Sequence, residues 1–175
     1  DMMKVAAILD GKTVAENVSL VIAPGSKQVL SMLAANGALA KMVAAGARIL
    51  ECACGPCIGM GQAPATDAVS LRTFNRNFFG RSGTASAKVY LVSPETAAVS
   101  ALTGVITDPR TFDTVVPTLV PESFPICDNM VVAPAANGEE VEVVRGPNIK
   151  PFPVNKPLAE ELKGQALIKV EDNIT

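Results

Sequence analysis

The sequence predicts an α/β fold, a three-layer αβα arrangement around a mostly parallel sheet, followed by an extended proline-rich segment. Three observations carry this. β-Branched apolar runs alternate with helical stretches through the first 107 residues, the pattern of strands joined through helices and covered on both faces. Capping and stop residues fall where those stretches meet. Beyond Thr107 the texture changes, because nine of the 13 prolines lie between Pro109 and Pro157 and periodic apolar stretches become scarce.

Taken in order, residues 1–9 (DMMKVAAIL) form an apolar-rich helical pattern. Residues 18–23 (VSLVIA) read as a strand, and Pro24-Gly25-Ser26 turns the chain, with Ser26 placed to cap a helix from Lys27. That helix stops near Gly37, and a second one, ALAKMVAAG, ends at Gly46, the residue favoured just past a helix C-terminus. Residues 47–51 (ARILE) resume as a strand. Gly55, Pro56, Gly59, Gly61 and Pro64 make residues 52–68 a loop, leaving the C-terminal end of that strand, where open α/β sheets place their ligands. Residues 69–74 and 88–92 are further strands, separated by the polar NRNFFGRSGT. Ser93-Pro94-Glu95 then opens an alanine-rich helix with a cap, a proline at its first position and an early acid.

At 175 residues the chain is long enough for a real hydrophobic core without disulfide staples. Hydrophobic residues make up 49% and charged residues 18%, which suits a well-buried globular fold and argues against a disordered chain. The net charge of -2 supplies no basic field for nucleic acid or anionic lipid, so neither is an expected partner. No apolar run approaches the roughly 20 residues of a membrane helix, and the first residues lack a signal-peptide pattern, so the expected location is cytoplasmic. The absence of any histidine removes His-based acid/base chemistry and His metal ligation, and leaves metal binding to sulfur. Asp1 in place of an initiator methionine, and a strand-like run up to Thr175, predict that both termini are cuts through a longer protein.

Residues 51–62, ECACGPCIGMGQ, hold three of the four cysteines. Buried cysteines commonly act as small hydrophobes, and Cys127, alone in SFPICDNM, is expected to be a core residue of that kind. Glycines on both sides of the other three suit a backbone folded closely around a ligand instead. Cys54-Gly55-Pro56-Cys57 has the spacing of a thioredoxin-type redox motif, but Gly59, Gly61 and Pro64 would break the helix that such a motif requires. A tetrahedral zinc site needs about four ligands, commonly as two pairs, and no second Cys/His pair exists. An iron–sulfur cluster suits thiolates, yet two or three cysteines are too few for full ligation. Either one iron is left open or a ligand comes from elsewhere.

The blocks ACGPCIGMGQAP, SLRTFNRNFFGRSGT, VYLVSPETAAVSALTG and VITDPR resemble, in order, the third domain of the aconitase family, bacterial-type aconitate hydratases. GPNIKP and LIKVEDNIT resemble the linker toward the family's swivelling fourth domain. On this resemblance residues 1–107 are the third-domain core, 108–160 a proline-rich segment and linker, and 161–175 the start of the swivel domain. It implies that Cys54 and Cys57 are two of three cysteine ligands to a 4Fe-4S cluster whose open iron binds substrate. The third ligand belongs to a Gly-Ser-Cys-Thr-Asn motif that would end just before Asp1. Cys52 falls where the family has a small residue, and is read as a bystander.

The resemblance further places Asn75 beside the cluster and Arg76 and Arg81 on substrate carboxylates, and the fixed donor fork of arginine suits that task. The family's catalytic base, remaining substrate arginine and histidine–carboxylate pairs belong to other domains, so no catalytic residue is named in this chain. The implied reaction is isomerisation of citrate and isocitrate through cis-aconitate, with the chain inactive when separated from the other domains. Alternatives are an isopropylmalate or homoaconitate isomerase, and a non-enzymatic iron–sulfur module that senses iron and binds RNA. The isopropylmalate enzymes tend to have a different residue pair between the two cysteines and to end before a swivel linker, so the resemblance favours citrate.

Overall fold

Local chemistry sets the helix boundaries. In the computed structural model, which describes residues 1–112 and 120–174, α1 spans Met2–Leu9, α2 Lys27–Ala35, α3 Ala38–Ala44 and α4 Pro94–Thr103. Ser26 Oγ accepts from Val29 N at 3.2 Å and Ser93 Oγ from Thr96 N at 3.1 Å, so each serine satisfies a backbone donor that the first helical turn leaves free. Gly104 ends α4 at φ +77, a left-handed conformation, and a Cβ there would meet the Asn17 side chain at 2.6 Å.

Four short strands follow the expected sites: β1 Val21–Ile22, β2 Arg48–Ile49, β3 Val69–Arg72 and β4 Lys88–Leu91. β1 pairs with β2 and β3 with β4, both in parallel, as the alternating pattern requires. The strands form two separate two-stranded sheets instead of one. The apolar runs are longer than the ladders they form, because only residues that meet a partner strand enter a ladder.

Helix α1 packs against both α3 and α4, and α2 against α3, so the helices form one connected row. Leu9, Met42 and Val99, one from each of α1, α3 and α4, are among the largest fully buried side chains. Lys4 of α1 donates to Glu95 of α4 at 2.9 Å, and this bond is the main cause holding the Glu95 carboxyl below its ordinary value. Alanine along α4 lets it approach closely, and Ala98, Val99, Ser100 and Ala101 are all buried.

The chain divides into two units, Asp1–Val131 and Val132–Thr175. Beyond Phe112 the described residues contain neither an α-helix nor a strand, only a 3-10 turn at Gly138–Glu140. Cys127 does not join the core: it is half-buried, and its neighbours Phe124 and Ile126 are 62% and 80% exposed. Pro125 precedes it in a segment with no ladder partner, so nothing covers the thiol as a core would. No helix of the described residues is long and apolar enough to cross a membrane.

Candidate functional site

After β2 the chain enters the glycine-rich loop. Leu50 N still donates to Ile22 O at 2.9 Å, and then Pro56–Ile58 closes a 3-10 turn in which Ile58 N and Met60 N both donate to Gly55 O. Gly59 ends the turn at φ +91, so the long helix of a thioredoxin-type motif does not form.

Two thiols converge in this turn. Cys54 Sγ and Cys57 Sγ lie 2.9 Å apart, and Cys57 Sγ also donates to Cys54 O at 3.1 Å. Cys57 is buried and Cys54 exposed, so the pair opens to one side. Contact with Cys57 is the main cause raising the Cys54 thiol above its ordinary value, and the charges of Arg81 and Arg76 oppose it. Cys52 stays apart, half-buried beside a recess lined by Lys27 and Leu30.

The second wall of the site is the turn after β3. A Cβ on Gly59 would meet Ser82 O at 2.4 Å, so only glycine lets the two backbones touch. This contact brings in Arg81, whose guanidinium donates to Cys57 Sγ at 3.3 Å while its plane lies 5.6 Å from the Phe78 ring centroid. Arg81 Nε is buried and has no hydrogen-bond partner among the described residues. Arg76 is exposed and acts on Cys54 through its charge. Asn75 is also exposed, and its side chain makes no hydrogen bond among the described residues. Of the five residues singled out by sequence, the structure joins Cys54 and Arg81 to Cys57 by direct contact, brings Arg76 close enough to act on Cys54 by charge, and gives the exposed Asn75 no hydrogen bond to the pair among the described residues.

One residue of this site was not singled out by sequence. Arg72, at the end of β3, is 8% exposed, and each of its three guanidinium nitrogens makes a local hydrogen bond. It donates to Pro56 O at 2.7 Å, to Gln62 O at 3.1 Å and to Ser70 Oγ at 2.8 Å. One side chain thus ties both halves of the cysteine loop to β3. Burial lowers its pKa from the ordinary arginine value and the neighbouring Cys57 opposes that shift. The available signal was a lone arginine inside an otherwise strand-forming run.

The donor set fits an iron–sulfur cluster in part. Two sulfurs, cationic neighbours and the unpartnered Arg81 Nε suit an anionic, sulfur-rich group, and metal binding would remove the protons the thiols now share. Among the described residues no third Cys, Asp or Glu joins them, so any further ligand comes from outside that set.

Comparison with known proteins points to one family. Residues 1–104 match the family described as "Aconitase family (aconitate hydratase)". A 3-isopropylmalate dehydratase large subunit of Herpetosiphon aurantiacus is 48% identical over 112 residues, covering 63% of this chain and 26% of that protein. A homoaconitase large subunit of Thermus thermophilus is 44% identical over 112 residues, covering 63% and 27% respectively. The chain spans about a quarter of the length of such relatives. On the extent of the match over residues 1–104, the chain belongs to the aconitase family.

Proposed function

We propose that the whole protein is a hydro-lyase isomerising a hydroxy acid of the isopropylmalate or homoaconitate kind, and that this chain supplies part of its iron–sulfur site. The observation that carries the reading is the Cys54–Cys57 pair with the Arg81 guanidinium on the Cys57 sulfur. Cys54 and Cys57 would hold a 4Fe-4S cluster together with a ligand from another part of the protein. When bound, the cluster supplies a Lewis acid for a leaving hydroxyl.

The chain's own side chains do the rest of the work assigned here. Arg76, exposed beside Cys54, offers its fork of donors to a substrate carboxylate. Arg81 serves the Cys57 sulfur through Nη2 and a second carboxylate through its other terminal nitrogen. Asn75, in the same turn after β3, is assigned to the border of the cluster on the family resemblance. On the family resemblance the remaining domains or subunits bring the acid/base groups. Residues 1–107 form the cluster-bearing core, 108–160 lead away from it, and 161–175 open a swivel element. A cytoplasmic location completes the reading.

The names of the relatives move the substrate away from citrate, which the resemblance alone had favoured, toward isopropylmalate and homoaconitate. Substrate selection depends on residues in the rest of the protein, so the residue pair between the two cysteines does not decide it.

The test is anaerobic purification of the whole protein, quantitation of iron and inorganic sulfide, and turnover of isopropylmalate, homoaconitate and citrate side by side. Bound iron and sulfide, with the first or second acid turned over fastest, support the proposal. Citrate as the best substrate would restore the citrate reading, and a preparation with no iron or sulfide overturns the site.

A further inference from the structure

A groove of about 900 Å³ separates the two small sheets. One edge of β1 forms one wall and one edge of β3 the other, with Met2 of α1 and Ala101 of α4 among the residues closing it. The lining is mostly aliphatic, and among the described residues its one charged side chain is Arg72, each of whose guanidinium nitrogens already makes a hydrogen bond.

The backbone explains what the groove lacks. A parallel ladder uses alternate residues on each side of a strand. In β1 the carbonyls of Leu20 and Ile22 accept from Arg48 N and Leu50 N, so the intervening Val21 turns its N–H and C=O the other way. In β3 the carbonyls of Ala68 and Arg72 accept from Lys88 N and Val92 N, so Val69 and Leu71 turn theirs away from β4. Val21, Val69 and Leu71 all line the groove, and among the described residues their outward backbone groups have no backbone partner. An edge of each sheet thus faces one apolar slot, with backbone donors and acceptors to satisfy at Val21 on one side and at Val69 and Leu71 on the other.

We propose that this slot receives a fifth β-strand, parallel to β1 and β3 and drawn from the part of the whole protein outside residues 1–175. The inserted segment joins the two pairs into one sheet of order β2–β1–insert–β3–β4, with alternate side chains turned onto α1 and α4. A small ligand does not match this arrangement, because the free backbone groups of Val69 and Leu71 recur at the two-residue spacing of an extended chain and those of Val21 face them across the slot. A second copy of this chain cannot lend one of its four strands, since each is already paired on one side and the insert must be free on both. The whole protein has the polypeptide to supply it, as the matched relatives are about four times longer than the region they share with this chain. The inference does not depend on the proposed reaction.

The test places a photoreactive phenylalanine analogue at Ser19 and, separately, at Val69 in the whole protein. Both positions lie on groove edges and are exposed in this chain. After illumination, mass spectrometry identifies the attached peptide. Both positions attaching to one and the same segment outside residues 1–175 is the expected result. Attachment to two unrelated segments, to residues 1–175 of the same or a second copy, or to no peptide overturns the proposal. Amide exchange in the unmodified whole protein gives an independent reading. The Val21, Val69 and Leu71 amides should exchange within about tenfold of Ile22 and Ser70, whose amides face the existing ladders. Exchange of the first three at loop-like rates would overturn it as well.

Discussion

The row of helices and the cysteine loop lie in the same unit but are held by different forces. Leu9, Met42 and Val99 are buried to below 2% exposure among other apolar side chains, so the row is held by burial. The loop buries little apolar surface; Ile58 and Met60 are 43% and 64% exposed. It is held instead by the three donations of Arg72 and by the backbone contact between Gly59 and Ser82. Such a division lets the site be disturbed while the fold stands, whereas the fold cannot be disturbed without losing the site.

The sharpest way to break the comparison is from the core side. Leu9→Ala leaves a cavity where the side chain is fully buried, and costs about 2–5 kcal/mol of stability. Denaturant unfolding of the chain should show the loss, and the reactivity of Cys54 and Cys57 toward an alkylating agent should change only in step with global unfolding. Site disturbance without loss of stability would mean that the core and the loop are coupled in a way the packing does not show.

From the site side, Arg72→Met keeps the aliphatic stem and removes every donor. Pro56 O and Gln62 O are then left without that partner, at a cost of about 1–3 kcal/mol. The effect should be local: faster exchange of the Ile58 and Met60 amides and faster alkylation of Cys57, with most of the helical signal retained. Arg72→Lys should recover only part of the protection, because one ammonium cannot reproduce a planar fork to three acceptors. Unchanged exchange at Ile58 and Met60 would remove Arg72 from its role as a strap.

What could be seen in the sequence divides along the same line. Helix starts were legible because Ser26 and Ser93 carry their own explanation: each bonds a backbone donor three residues on. The Cys54–Cys57 spacing was legible because turn and ligand chemistry are both local. The six-residue apolar run 18–23 overstated its strand, since only Val21 and Ile22 meet a partner. Arg72 was invisible because its meaning depends on carbonyls 16 and 10 residues away. The contact of Arg81 with Cys57, 24 residues apart, likewise depends on Gly59 meeting Ser82 across two turns. Cys127 was misplaced in the core because its neighbours' hydrophobicity carries no information about whether anything covers them.

A smaller effect separates local capping from packing. Ser93→Ala removes the acceptor for Thr96 N at the start of α4, at a cost of about 1 kcal/mol. Ser93→Asp should restore most of it, as an aspartate also accepts at that position and favours the helix dipole. Equal stability of the alanine and aspartate variants would show that burial of Ala98–Ala101 alone fixes where α4 begins.

The smallest effect lies at the margin between the packed unit and the extended chain. Asp108 accepts from the Arg110 guanidinium and, through Oδ1, from Arg110 N at 2.9 Å, which closes the 3-10 turn Pro109–Thr111. The Arg110 side chain is the main cause lowering the Asp108 pKa from 3.8 to about 2, with the backbone donor second. A carboxyl with a depressed folded pKa stabilises the fold above its unfolded value, and that contribution fades as pH falls from 3.8 through about 2. The Asp108 carboxyl resonance should therefore titrate near the lower value in the folded chain, with the turn loosening over the same window. Arg110→Ala removes the guanidinium but not the backbone donor, so the midpoint should move only part of the way up. A wild-type midpoint at the ordinary aspartate value would show that the turn rests on its proline and not on the carboxylate.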